Sequence, residues 1–133
     1  MPPRFRPDRA FFLDLDGTLF EIRTSPDAVR RDAAEVQLVA RLLEAAGGAV
    51  ALISGRALGT IDALFAPLKL PAAGQHGAER RDAQGRVTRV ELPSQPFDAA
   101  AKRLRGFAAR HKGLLFEHKG LSMALHYRLA PQL

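Results

Sequence analysis

The first hydrophobic stretch is short and unbroken. Residues 10–15, AFFLDL, form an apolar run of strand length that takes in one carboxylate, Asp14. A run of this length without alternation reads as a strand buried on both faces. A looser segment containing Pro26 follows. Between residues 31 and 46 the apolar positions Val36, Val39, Leu42, Leu43 and Ala46 return at helical spacing. Gly47-Gly48 then supplies a stop, because glycine accepts the left-handed conformation that ends helices. Residues 49–53, AVALI, predict a second buried strand, and Ser54-Gly55-Arg56 turns the chain into a helix over about residues 57–65. Pro67 and Pro71 bracket a connector, and residues 72–79 predict a third strand. Strands buried on both faces and alternating with helices predict an α/β fold with a Rossmann-like parallel sheet.

After Glu79 the pattern changes. Residues 80–92 read as a hairpin around Asp82-Ala83-Gln84-Gly85, where the glycine can supply the positive φ of the turn. Pro93 and Pro96 punctuate a connector. Residues 97–111 predict a helix with Ala100, Leu104, Phe107 and Ala108 inward, closed by Gly113. Two strands, 114–119 and 122–128, are predicted to join through Gly120. This gives a small α+β layer, with the division expected between residues 1–82 and residues 83–133. There is no internal repeat and no low-complexity segment.

Composition narrows the class. Apolar residues make up 47% and charged residues 26%, the balance of a globular chain. The absence of cysteine excludes disulfides, thiolate metal sites and a cysteine nucleophile, and suits the cytoplasm. The N-terminus is basic and then apolar, but Asp14 and Asp16 interrupt it and no small-residue cleavage site follows, so it does not read as a secretion signal. No run approaches the length of a membrane span. A cytoplasmic protein with no membrane partner is expected. The net charge of +6 raises nucleic acid as a partner. The basic residues are scattered, however, as Arg30, Arg31, Arg80, Arg81, Arg86, Arg89, Lys102, Arg103, Arg105, Arg110 and Lys112. They form no block and lack interleaved aromatics for base stacking. They read instead as an arginine-rich surface that attracts small anionic substrates, with no nucleic acid partner.

The chemistry concentrates in Asp14-Leu15-Asp16-Gly17-Thr18-Leu19. Two carboxylates emerge where an apolar strand stops, followed by a glycine turn and a hydroxyl. In an open parallel sheet the carboxyl ends of the strands form the ligand crevice. An aspartate there can attack a phosphoryl group and form an acyl phosphate that water later hydrolyses. Charge on the transferring group needs neutralising, which Mg²⁺ held by carboxylates supplies. The second aspartate is placed to protonate the leaving oxygen and then to activate water. The competing reading is a β-hairpin, FFLDL and TLFEI folded about Asp16-Gly17. It would set Asp14 within a mostly apolar strand, where an unpaired carboxylate is costly.

DLDGTL resembles the first motif of the haloacid dehalogenase-like phosphatases, and Ser54 after AVALI resembles their second. On its own, Ser54-Gly55-Arg56 also reads as an ordinary strand-to-helix turn with serine as the cap. Gly74-Gln75-His76-Gly77-Ala78-Glu79 resembles a Gly-x-His-Gly-x-Glu segment of the trehalose-6-phosphate phosphatase family. Glu117-His118-Lys119-Gly120 and Ala124-Leu125-His126-Tyr127-Arg128 resemble the signature of its cap domain. Period-two geometry puts Glu117 and Lys119 on one face of a strand. The bland alternatives are an exposed ion pair for Glu117 and Lys119 and satisfied or exposed imidazoles for His76, His118 and His126, whose spacings match no zinc pattern.

The resemblance implies the phosphatase core of the haloacid dehalogenase type with part of an inserted α+β cap, and hydrolysis of trehalose 6-phosphate. It implies Asp14 as nucleophile and metal ligand. Asp16 would be acid/base, with its backbone carbonyl also on Mg²⁺. Phosphate would meet the backbone N–H groups of Leu15 and Asp16 and the Ser54-Gly55-Arg56 turn. Gln75, His76, Glu79, Glu117 and Lys119 would face the sugar. Such enzymes also carry a lysine motif and a paired-acid metal motif on core strands after the cap, and Leu133 comes before either. The expectation is therefore a truncated chain or one piece of a split enzyme, with a missing C-terminal half or a self-association partner completing the sheet. Another sugar phosphate, of the sucrose or mannosylglycerate type, and a non-catalytic binding module remain as alternative readings.

Overall fold

The structure is a computed structural model and describes residues 4–21 and 31–133. The segment around Pro26, the end of the TLFEI arm and Arg30 lie outside the described residues. The chain divides into two compact units, Met1–Thr88 and Arg89–Leu133.

In the first unit β1 (Phe11–Asp14) lies parallel to β2 (Val50–Ile53), with Phe11 opposite Val50 and Asp14 opposite Ile53. Helix α1 (Ala33–Ala45) connects them. It starts at Asp32, whose side chain accepts from the Ala34 N–H at 2.8 Å, a conventional N-cap. It ends at Gly47 and Gly48, both at positive φ, with the Gly48 N–H bonded back to the Leu43 carbonyl at 2.8 Å. Helix α2 (Leu58–Phe65) leads to β3 (Ala72–Gly74), which is parallel to β2. The core gathers Leu15, Phe20, Val36, Val39, Leu52, Ile61, Leu64, Phe65 and Leu70, with Phe20 edge-on to Phe65 at 5.7 Å. Among the described residues the hairpin alternative is not formed: the Asp16–Phe20 bridge is parallel, and the Leu19 and Phe20 N–H groups fold back onto the Leu15 carbonyl instead of pairing along β1.

The predicted third strand is less than half its expected length. After Gly74 the chain enters a tight turn, Gln75–Gly77, in which Gln75 and His76 take φ of 49° and 59° and Gly77 takes 90°. Three successive left-handed residues reverse direction, so β4 (Glu79–Arg81) runs antiparallel to β3. The sheet is therefore mixed rather than purely parallel, in the order β1-β2-β3-β4-β5, with β5 at Val87–Arg89. The predicted turn between β4 and β5 is present. Gly85 has φ 80°, and the Asp82 carboxylate accepts from the Gln84 and Arg86 N–H groups, each at 2.9 Å. Partial loss of solvent would raise the Asp82 carboxyl, but the backbone and side chain of Arg86 and the backbone of Gln84 hold it below its ordinary value of 3.8.

Arg81 corrects the surface assigned to the basic residues. Its side chain is 3% exposed, it grips Asp62 of α2 with two hydrogen bonds at 2.6 and 2.8 Å, and it also donates to the Leu70 carbonyl. A buried guanidinium is tolerable only when its donors are satisfied in this way.

In the second unit α3 (Ser94–Ala109) packs on a two-stranded antiparallel sheet, β6 (Leu115–His118) and β7 (Met123–His126). Phe97, Ala101, Leu104 and Ala108, at steps of three and four, form the buried and half-buried stripe. Phe107, expected inward, is 40% exposed and stacks on His111 with ring centroids 4.2 Å apart. Lys119 and Ser122 close the β6–β7 connection, and Gly120 has φ 96°.

Candidate active site

Leu15 explains the shape of the first motif. Its side chain is fully buried, and its carbonyl accepts from the N–H groups of Leu19 at 3.0 Å and Phe20 at 2.8 Å. Gly17, at φ 93°, lets the chain make this turn. With Leu15 pinned inward, Asp14 and Asp16 on either side are both exposed. Asp14 is the last residue of β1, and its Oδ2 accepts from the Thr18 hydroxyl at 3.0 Å.

The second motif lies beside it, because β2 is the strand next to β1. Ser54 follows Ile53, the residue opposite Asp14, and is buried. Its Oγ accepts from the Arg56 N–H at 3.1 Å. Ser54 is not the helix cap: the N-cap position of α2 is Ala57, whose own side chain makes no capping bond. Arg56 reaches across to Asp16, with Nη2 at 2.8 Å from Oδ1 and Nε at 2.9 Å from Oδ2. The pair ties the two strand tips together over 40 residues of sequence.

The third segment supports the second. Ser54 N–H donates to the Ala73 carbonyl, Gln75 N–H to the Arg56 carbonyl and His76 N–H to the Ser54 carbonyl, at 2.9, 2.9 and 3.2 Å. Two glycines allow this approach. A Cβ on Gly74 would lie 2.8 Å from the Arg56 carbonyl oxygen, and one on Gly55 would lie 2.7 Å from Nε2 of His76. Gln75 and Glu79, expected to face a sugar, are 4% and 5% exposed. Glu79 Oε1 accepts from the Leu58 N–H at 2.7 Å and from Gln75 Nε2 at 3.0 Å. Glu79 therefore caps α2 from 21 residues away, a role the sequence did not suggest. Of the three, His76 alone is exposed.

Within the second unit, Glu117 accepts from Nε2 of His126 at 2.8 Å and lies 3.5 Å from the Lys119 ammonium. The opposite face of the sheet meets α3, through Phe97 against His118 and Arg105 over Phe116, with centroid distances of 5.4 Å in each case. Period-two alternation along β6 separates the two faces.

Among the described residues no group of three or more His, Cys, Asp or Glu is gathered as a ready metal site, and no helix is long and apolar enough to cross a membrane. Asp14 and the Asp16 carbonyl are nevertheless hard oxygen donors at a strand tip. Magnesium characteristically takes one or two carboxylates and fills the rest of its octahedron with phosphate oxygens and water. The donor set fits such an ion.

The trehalose-phosphatase family matches residues 12–133. Over 130 residues the chain is 44% identical to the trehalose-6-phosphate phosphatase of Escherichia coli (strain K12), covering 98% of this chain and 49% of that protein. It resembles the crystal structure of a trehalose-6-phosphate phosphatase related protein at 26% identity and a TM-score of 0.76, over 93% of this chain and 56% of that one. The C-terminal domain of the C. albicans trehalose-6-phosphate phosphatase shares the fold, at 19% identity and a TM-score of 0.81, over 92% of this chain and 43% of that one. The architecture is the α/β fold of haloacid dehalogenase-like hydrolases. The chain spans about half the length of the curated relatives it matches.

Proposed function

We propose, because the chain belongs to the trehalose-phosphatase family, that it supplies the nucleophile half of a phosphatase acting on trehalose 6-phosphate. The observation that carries this reading is the meeting of two motifs distant in sequence. Asp14 and Asp16 stand at the tip of β1, the Ser54 turn follows the adjacent tip of β2, and Arg56 bridges them.

In this reading a carboxylate oxygen of Asp14 attacks phosphorus while the bond from phosphorus to the sugar oxygen breaks. Asp16 gives its proton to that oxygen. Water then attacks the aspartyl phosphate, Asp16 takes up the proton and inorganic phosphate leaves. Both Asp16 oxygens are engaged by Arg56, so the carboxyl turns partly away from the guanidinium to reach the leaving oxygen. Ser54 with its Gly55-Arg56 turn and the N–H groups of Leu15 and Asp16 hold the phosphoryl oxygens. Asp14 and the Asp16 carbonyl would hold Mg²⁺, which offsets charge on the transferring group when bound. His76 faces the substrate, and Gln75 and Glu79 act by fixing its loop. Glu117 and Lys119 bind sugar hydroxyls as part of a cap.

The cytoplasm is the compartment this chemistry suits. β1 is the edge strand of the described sheet, and its unpaired backbone edge is where further core strands would add. The test is phosphate release from trehalose 6-phosphate with Mg²⁺, by the protein expressed from its full reading frame. Asp14→Asn should lower turnover by about a thousandfold or more. Undiminished turnover would refute the nucleophile assignment, and equal rates on sucrose 6-phosphate would refute the substrate.

A further inference from the structure

By sequence alone His126 reads as a satisfied or exposed imidazole. The strand register gives it a more definite place. In an antiparallel pair, residues directly opposite project to the same face, and residues two apart on one strand do too. Leu115 is opposite His126, and Glu117 is two residues beyond Leu115. Glu117 and His126 therefore share a face as diagonal neighbours, and Lys119, two residues further on, projects to the same side. Phe116 and His118 occupy the other face, where Arg105 and Phe97 of α3 meet them. A carboxylate, an ammonium and an imidazole thus stand together on the face turned away from the helix.

The chemistry of the contact fixes the ring. A carboxylate only accepts, so the 2.8 Å contact requires the His126 proton on Nε2. Glu117 on a short strand has several rotatable bonds, and the ammonium at 3.5 Å is a long, weakly directional tether. The imidazole is the short, directional one. We infer that His126 is a positioning residue: it fixes the Glu117 carboxylate in one orientation so that the remaining lone pairs meet sugar hydroxyls, and it thereby sets the preference for a disaccharide phosphate. The inference rests on the reading of Glu117 as a sugar-facing residue.

The test compares kcat/KM for trehalose 6-phosphate with that for p-nitrophenyl phosphate, which has no sugar, in the protein from the full reading frame. His126→Leu should cut the preference for the sugar phosphate about tenfold, the size of one lost hydrogen bond to a charged group, through a raised KM. His126→Gln, whose amide can still donate, should recover most of it. Adding His126→Leu to Glu117→Gln should cost nothing further. In the 133-residue chain, ring ¹⁵N spectra should show the Nε2–H tautomer. If Glu117→Gln erases the preference and His126→Leu keeps it, or if the two losses multiply, the positioning role is overturned. An Nδ1–H tautomer also overturns it. If Glu117→Gln leaves the preference intact, the sugar-facing reading of Glu117 fails first, and this inference fails with it.

Discussion

The pairing of Arg81 with Asp62 makes an asymmetric prediction about stability. The two partners are unequally buried: the Arg81 side chain is 3% exposed and Asp62 is 35% exposed. Arg81→Met removes the cation, leaves a carboxylate that can rehydrate, and strips the buried Leu70 carbonyl of its donor. An unsatisfied buried carbonyl costs about 1–3 kcal/mol, so the loss should be about 2 kcal/mol. Asp62→Ala leaves a guanidinium in the interior, still donating to the Leu70 carbonyl but without its counter-charge. Breaking a buried pair from that side costs about 3–5 kcal/mol. Alanine in the middle of α2 returns about half a kcal/mol through helix propensity, which does not close the gap. Asp62→Ala should therefore be the worse change, by about 0.5–2.5 kcal/mol. The double variant should cost clearly less than the two losses added, because no charge is then left stranded. Urea unfolding followed by circular dichroism measures all three, with the slopes compared to check that the unfolded state has not changed. Equal losses, a larger loss for Arg81→Met, or additivity would refute the account of the pair.

Three further outcomes follow from the geometry. Gly74→Ala meets the rigid Arg56 carbonyl and should cost about 2 kcal/mol or more, whereas Gly55→Ala meets the tip of the His76 ring and should cost under about 1 kcal/mol while displacing that ring; thermal melts and histidine ring shifts would show both. Glu79→Ala removes the cap on Leu58 and the partner of Gln75, and should cost about 1–2 kcal/mol, with faster hydrogen exchange at Leu58 as its local mark. The Asp82 carboxyl sits below 3.8 when folded, so its contribution is complete above the unfolded value and is lost as pH falls through the folded one. Asp82→Asn should therefore flatten the acid limb of the stability profile, and an unchanged limb would count against the turn contacts.

Much of this structure was legible from pattern alone. β1, β2, α1 and α2 follow from short apolar runs and from apolar positions three and four apart. The turn at Asp82 declared itself through its glycine. The features that escaped did so for two physical reasons: some depend on partners distant in sequence, and others on residues that do not advertise their conformation. Gln75 and His76 hold left-handed backbones without being glycine, so the sequence offered an extended strand where the chain reverses. Arg81 looked like a surface cation because its partners, Asp62 and Leu70, lie on other elements. The same holds for Glu79, whose acceptor oxygen serves an N–H 21 residues earlier. Within the candidate site, the Asp14–Asp16 motif and Ser54 could be named from residue type and strand position. The Arg56 bridge to Asp16 and the His126 contact with Glu117 required the strand registers.

The turn after β2 has its backbone committed on both sides: Ser54 and Arg56 are bonded to β3 and the bend after it, and Leu58 to a buried side chain. Such a corner carries little conformational freedom for an arriving anion to quench. Capture of inorganic phosphate there should show a small entropic penalty from the main chain, and calorimetry should find its heat capacity change governed by displaced water. Selectivity at that corner would then come from shape already present, much as a mould differs from a clasp.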